Sequence, residues 1–398
     1  MTKKNGKNNS AVFDPDELRS IALHSQGITS NAFGKEKTGA LKAIRHIGYV
    51  QLDTLAVVAR AHHHTLWSRV DNYQEKHLDE LMREKKIFEY WSHAAAFLPM
   101  EDFRFSLVRK QEFLNGKKHW FAKDRKMHRY VLDKIKAEGA MRAIDFENDR
   151  SRGSWWDWKP AKIALEQLFQ NGTLMVKERK GFQKVYDLAE RILPSSIDVS
   201  VPSKEEFAQH LIRTNLRAHG IASMKDFTHL RKGMRAPAEK ELKRMLNNGE
   251  IVHVPIENTR EEYFCFSDQR QEPRSKTNGE MKFLNPFDNA IIRRDRVMDL
   301  FNYDFRVEFY LPEPKRKFGY FCLPVLWKNE FVARFDPKAD RETKTLHVKK
   351  FHLEKKMNKK EKAEFMEEFE IALQRFAEFN GCSLVDLGTS LASSGHSV

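Results

Sequence analysis

Apolar residues recur at helical spacing in two stretches of the middle of the chain, and the two stretches repeat one another. In the first, Pro160-Ala161 leads to Leu165, Leu168 and Phe169 and then to Asn171-Gly172. In the second, Pro237-Ala238 leads to Leu242, Met245 and Leu246 and then to Asn248-Gly249. Both Pro-to-Gly intervals are twelve residues. Proline suits the first turn of a helix and glycine the position just past its end. Each helix is preceded by the same spacing, with Asp145-Phe146 six residues after Gly139 and Asp226-Phe227 six residues after Gly220. Each is followed by two strand candidates: Thr173–Lys177 and Phe182–Leu188 around the Lys180-Gly181 turn, and Glu250–Val254 and Tyr263–Phe266 around the Glu257–Glu262 loop. The pattern is helix, turn, helix, helix, strand, turn, strand, which predicts a winged helix-turn-helix unit, present twice.

A third, less regular copy is expected at the N-terminus. Glu17–His24 reads as a helix, and Leu41, Ile44 and Ile47 share one face of another that Gly48 ends. Leu41 to Gly48 matches the Leu165-to-Gly172 interval, so Tyr49–Thr54 is expected to be the first wing strand. The last third differs. Leu284–Asp288 reads as a loop, Asp304–Leu311, Gly319–Leu326, Glu330–Phe335 and Thr345–Phe351 as strands, and Asn358–Asn380 as a long helix with a Phe365, Phe369, Leu373, Phe376 stripe. The fold class expected is α+β: a tandem winged-helix array with a C-terminal β-rich α/β domain. The expected boundaries are a disordered basic tail over 1–12, units over 13–122, 123–195 and 196–280, a C-terminal domain over 281–385 and a flexible tail over 386–398.

Composition narrows the partner. The chain has 398 residues, 70 Lys+Arg against 56 Asp+Glu, and a net charge of +14. An excess this large favours a polyanion, with nucleic acid first. It is concentrated between Arg104 and Lys136, where eleven basic residues meet three acidic ones and aromatics are interleaved. Lys117, Lys118, His119, Trp120, Lys123, Arg125, Lys126 and Arg129 read there as a face for phosphates. No apolar run is long enough for a membrane span. The start of the chain lacks the apolar core of a secretory signal. Cys265, Cys322 and Cys382 are too few for a disulfide framework, so a cytoplasmic, nucleoid-associated protein is expected. There is no P-loop, Rossmann glycine run, HExxH or GxSxG.

Four groups of residues could carry chemistry. On a strand, Gln51 and Asp53 project to one face, a carboxylate beside an amide that both donates and accepts. They could hold a water between them, or form an ordinary surface pair. His62, His63 and His64 invite a metal, but on a strand only His62 and His64 share a face. No Cys or Glu completes a zinc set, so no metal is expected. These histidines and Arg69 are read as DNA contacts. His93, beside the Ala94–Ala96 run, is a further candidate. Lys117, Lys118, Lys180 and the Lys315-Arg316-Lys317 turn are candidate phosphate contacts. Trp155–Trp158 reads as a packing cluster.

Taken in order, several blocks resemble the winged-helix DNA glycosylases of the AlkZ/YcaQ type. They are Gly48–Asp53, Arg60–Arg69, Tyr90–Pro99, Gly181–Pro194, Asn285–Asn289 and Pro314–Leu326. The resemblance implies hydrolysis of the N-glycosidic bond of alkylated purines, chiefly N7-alkylguanine, and in some relatives unhooking of interstrand crosslinks. The family motif is Gln-apolar-Gln in one branch and Gln-apolar-Asp in another. Gln51-Leu52-Asp53 matches the second branch, which makes Gln51 and Asp53 the implied catalytic pair. No cofactor is implied. The expected partner is duplex DNA carrying alkylated or crosslinked guanine, bound by a monomer. A non-enzymatic winged-helix DNA-binding protein, regulatory or architectural, is the competing expectation.

Overall fold

Asp14 opens the first helix by accepting a hydrogen bond from the Asp16 amide with its side chain. The computed structural model describes residues 14–29, 32–117, 119–146, 159–270 and 280–388. The expected tail over 1–12, Lys118 and the Trp155–Trp158 cluster lie outside the described residues.

The N-terminal elements are α1 (Pro15–Ser25), α2 (Glu36–Ile47), β1 (Val50–Gln51), α3 (Ala61–Trp67), α4 (Glu75–Arg83), β2 (Ile87–Trp91) and β3 (Ala95–Pro99). Next come α5 (Phe103–Leu114), α6 (Arg125–Glu138), β4 (Met141–Arg142), α7 (Lys159–Gln170), β5 (Leu174–Lys180), β6 (Gln183–Leu188) and α8 (Ala189–Ile192). A third run holds α9 (Lys204–His219), β7 (Ala222–Ser223), α10 (Met224–Phe227), α11 (Arg235–Asn247), β8 (Ile251–Val254) and β9 (Tyr263–Phe266). The C-terminal part has β10 (Lys282–Phe283), α12 (Arg294–Phe301), β11 (Leu323–Trp327), β12 (Glu330–Asp340), β13 (Thr345–Leu353), α13 (Lys359–Phe379) and β14 (Leu384–Asp386).

Three small sheets share one topology, β1-β3-β2, β4-β6-β5 and β7-β9-β8, so in each the third strand lies between the first two. A helix precedes each first strand, and a left-handed glycine separates the two: Gly48 at φ +79°, Gly139 at +91° and Gly220 at +68°. A side chain at Gly48 would also collide with Thr214. This corrects the phase expected for the N-terminal copy. Gly48 corresponds to Gly139 and Gly220, not to Gly172 and Gly249. The strand after it, β1, is therefore the short strand that opens a unit, while the hairpin is β2–β3. Equal Leu-to-Gly spacing misled because in the other two units both the first and the third helix are followed by a glycine, Gly139 and Gly172 in one and Gly220 and Gly249 in the other.

The described residues form two compact units. One comprises those of Met1–Ser30, Asn215–His229 and Ala238–Val398, and the other those of Asn31–Thr214 and Leu230–Pro237. The expected 13–122 unit thus loses α1. The apolar stripe Leu18, Ile21 and Ala22 packs with Ile221, Val254, Tyr263 and Leu300, and Leu23 packs with Ile291 and Tyr303.

In the C-terminal part five strands run β10-β11-β12-β13-β14, antiparallel except for the last pair. α13 lays Phe365, Phe369 and Phe376 against Phe283, Phe335 and Phe351. Asp304–Leu311, expected as a strand, is not one. Tyr303 and Phe305 drop into the core, and the Asp304 carbonyl is taken by the Arg334 guanidinium at 2.8 Å instead of by a neighbouring strand. Alternation supplies a face but not a partner. Asp386, expected to begin the tail, closes the sheet in β14 beside His347.

Candidate functional site

β1 pairs with β3 in the register Val50↔Phe97 and Gln51↔Ala96, and the Leu52 amide adds one more bond to the Ala95 carbonyl at 2.8 Å. The strand then ends, and Asp53 turns the chain. Its Oδ1 accepts from the Leu55 amide at 2.7 Å, a side-chain turn of the kind aspartate favours. Gln51 is buried and Asp53 half-buried. Burial raises the Asp53 pKa above its ordinary value, and the Leu55 and Thr54 amides only partly offset this by favouring the carboxylate.

The β2–β3 turn, Ser92-His93-Ala94, folds back on this strand end. His93 Nε2 lies 2.9 Å from Gln51 Oε1. The Tyr49 ring stands edge-on to the His93 ring, with centroids 5.1 Å apart. Arg231 Nη2 donates to Ser92 Oγ at 3.3 Å and braces the turn. The histidine singled out as a DNA contact is thus joined to the glutamine of the Gln-Leu-Asp motif, a link that 42 residues of separation concealed.

His62, His63 and His64 are not on a strand. They occupy α3, and all three are buried. Burial holds the His62 imidazole well below its ordinary pKa and His63 down at about 3, so both are neutral. His63 Nδ1 lies 2.8 Å from the Tyr73 hydroxyl. Arg69 is buried too, and its guanidinium donates to the Thr65 carbonyl and to Ser68 Oγ, both at 3.0 Å. As exposed DNA contacts, these four residues are corrected: their rings and guanidinium are sunk in the protein. Basic composition marked them, but a helix flanked by buried Ala61 and Leu66 placed them inside.

The second hairpin explains part of that burial. Phe182, left-handed at φ +67°, stacks on His62 with centroids 6.0 Å apart. Arg60 and Arg179 cover the same ring at 4.1 and 4.4 Å. A non-glycine residue in this region is strained, and the docking holds it there. Arg179 also grips buried Glu89 of β2 through two bonds of 2.7 and 2.8 Å. Neither Phe182 nor the Glu89–Arg179 pair was singled out from the sequence. Lys180 stays exposed beside Glu178.

The remaining described basic candidates are at the surface. Lys117 pairs with Glu112. Lys315 ends a short 3-10 turn, Arg316 donates to the Leu311 carbonyl at 2.9 Å, and Lys317 lies over Phe318 at 4.6 Å. They sit in a loop whose shape is set by the Glu308 carboxylate accepting the amides of Lys317, Phe318 and Gly319 at 2.8–3.1 Å. Among the described residues no group of three or more His, Cys, Asp or Glu is placed to hold a metal. No described helix is long and apolar enough to cross a membrane.

Comparison with known proteins gives two findings. The family model described as "DNA glycosylase AlkZ-like" matches residues 44–379. Among solved structures, the chain is similar to the Streptomyces sahachiroi DNA glycosylase AlkZ. The TM-score is 0.64 at 14% identity over 94% of this chain and 99% of that one, a likeness of fold.

Proposed function

On the premise that the chain belongs to the AlkZ-like DNA glycosylase family, we propose that it hydrolyses the N-glycosidic bond of alkylated purines, chiefly N7-alkylguanine, and unhooks interstrand crosslinks at that position. The observation that carries the reading is the strand end at which Gln51 is bound by His93 and Asp53 stands half-buried just beyond it.

Alkylation at N7 leaves guanine positively charged, so it departs with little or no protonation. The sugar left behind is oxocarbenium-like. The Asp53 carboxylate stabilises that cation and takes a proton from the attacking water. With Gln51 Oε1 engaged by His93, the Gln51 NH2 is the donor left to orient the water. A crosslinked base is tied to the opposite strand and resists rotation into a deep pocket, which suits a shallow site. The three sheets of common topology, each with its helices, serve as a tandem winged-helix array that follows the duplex. Exposed Lys117, Lys180, Lys315 and Lys317 and half-buried Arg316 meet phosphates along it, with Lys118 as a further candidate. The protein works as a monomer, without a cofactor, in the nucleoid of the cytoplasm.

The test is purified protein against a duplex carrying one N7-alkylguanine, with a nitrogen-mustard crosslink in parallel and alkali cleavage reporting abasic sites. Base release from both, lost in Asp53→Asn while duplex binding persists, is the expected result. Release from the monoadduct alone removes crosslink unhooking from the reading. Undiminished release by the variant removes Asp53 from its role.

A further inference from the structure

A run of alternating aromatic and cationic side chains leads away from the β2–β3 hairpin. Arg109 of α5 lies over Trp91 at 4.8 Å and over Phe113 at 5.2 Å, and Lys117 lies over the same Phe113 ring, also at 5.2 Å. Trp91 is only two residues from His93, so the ladder begins beside the candidate site. It ends at an open cavity of about 400 Å³ between α5, α6 and α7. Phe113 and Phe121 form its aromatic walls, with Lys117, His119 and Lys123 around them. None of its described lining residues is a carboxylate.

The cavity is built. Buried Gln167 accepts from His128 Nε2 at 2.7 Å, and its Nε2 donates to the Phe121 carbonyl at 3.0 Å. The pair clamps the loop that carries Phe121 onto α7. Yet Phe121 is 57% exposed and its neighbour Trp120 is 95% exposed. Large aromatics left in water beside cations suit a ligand that is both flat and anionic. The volume lies within the range of sites for small molecules.

We propose that this cavity holds one unstacked nucleotide of the DNA, its base against Phe113 and Phe121 and its phosphate at Lys117 and Lys123. Its aromatic walls and cationic rim suit it to holding a nucleotide, with the phosphate taking the place of Glu112 on Lys117. The ladder from Trp91 to Lys117 gives the strand a stacking and phosphate-contacting path from the hairpin to the cavity. The proposal rests on the glycosylase reading in taking DNA as the partner.

The test is fluorescence anisotropy with full-length protein, a matched duplex and the same duplex with a single-nucleotide bulge. Wild type is expected to prefer the bulge by about ten-fold, the scale of one stacked base. Phe121→Ala, at an exposed position, should remove the preference and leave matched-duplex affinity and melting temperature unchanged. Lys123→Ala should weaken bulge binding and flatten its salt dependence. No preference in wild type, or an undiminished one in Phe121→Ala, overturns the proposal. Base release measured on the same preparations separates the two readings: a bulge preference without base release sinks the glycosylase assignment, and base release without a bulge preference sinks this one.

Discussion

His93 Nε2 and Gln51 Oε1 lie 2.9 Å apart, joining the hairpin turn to the last residue of β1. Because the glutamine oxygen only accepts, the imidazole donates, and the Gln51 amide is held with its NH2 turned elsewhere. In the proposed reaction His93 is therefore a positioning residue. His93→Ala should slow single-turnover base release by about ten-fold or more, with little change in affinity for the duplex. His93→Gln keeps a donor and should recover part of the rate. Equal loss in the alanine and glutamine variants would mean that the histidine acts by packing on Tyr49 and not through Gln51.

In the proposed reaction Asp53 sets the pH dependence. Burial is the largest influence on it and raises its pKa, so the group takes up its proton at a higher pH than a solvent-exposed aspartate. The working form in the proposed reaction is the carboxylate. Base release should fall as pH drops, with the midpoint above the ~3.9 of a free aspartate. In Asp53→Asn any residual rate should lack this limb. The same burial makes the charge a cost to the fold, so the variant should melt no lower than wild type at neutral pH. A midpoint at or below the free-aspartate value would show that the two backbone amides outweigh burial.

The Glu89–Arg179 pair ties the first hairpin to the second. Glu89 is buried, and both its oxygens are engaged by one guanidinium, with Lys184 at 3.7 Å. Removing one partner leaves a charge uncompensated in the interior. Glu89→Ala should destabilise by about 3–5 kcal/mol. The double variant Glu89→Leu/Arg179→Met should recover part of this, because it leaves no orphaned charge. Thermal melts of wild type, Glu89→Leu, Arg179→Met and the double variant form the cycle, and additive losses would deny the coupling.

The sequence carried the repeat, since helix spacing and glycine stops are local signals. β9 was expected over the residues it occupies, and α13 within one residue at each end. It did not carry the phase of the N-terminal copy, because a seven-residue Leu-to-Gly interval ends a first helix, as in Leu132 to Gly139, as well as a third, as in Leu165 to Gly172. The motif marked Gln51 and Asp53 as the candidate pair. The His93 bond was not legible, because a turn brings together residues remote in sequence. The histidine run misled for a physical reason: period two was assumed where the chain is helical, and three polar rings were taken for surface when Phe182 and Phe97 cover His62, Tyr73 lies against His63 and Trp67 against His64.

Lys110 gives a prediction about stability that needs no view of function. It is buried among the rings of Phe103 and Tyr90, at 3.7 and 4.5 Å, with Ser106 Oγ at 2.8 Å. Its stem fills the space that a side chain at Gly172 would need. Burial lowers its pKa to about 7. The unfolded chain therefore binds this proton over the range from about 7 to the ordinary lysine value of ~10.4, where the folded protein releases it. Stability from this group rises with pH across that window and is lowest, and level, below it. Lys110→Met keeps the volume and removes the charge, so it should be more stable than wild type at pH 7 by on the order of a few kcal/mol. The gap should close as pH approaches 10. Denaturant melts of the two proteins at several pH values measure it. A gap that stays constant from pH 7 to pH 10 would show that Lys110 does not release its proton in the folded protein over that window.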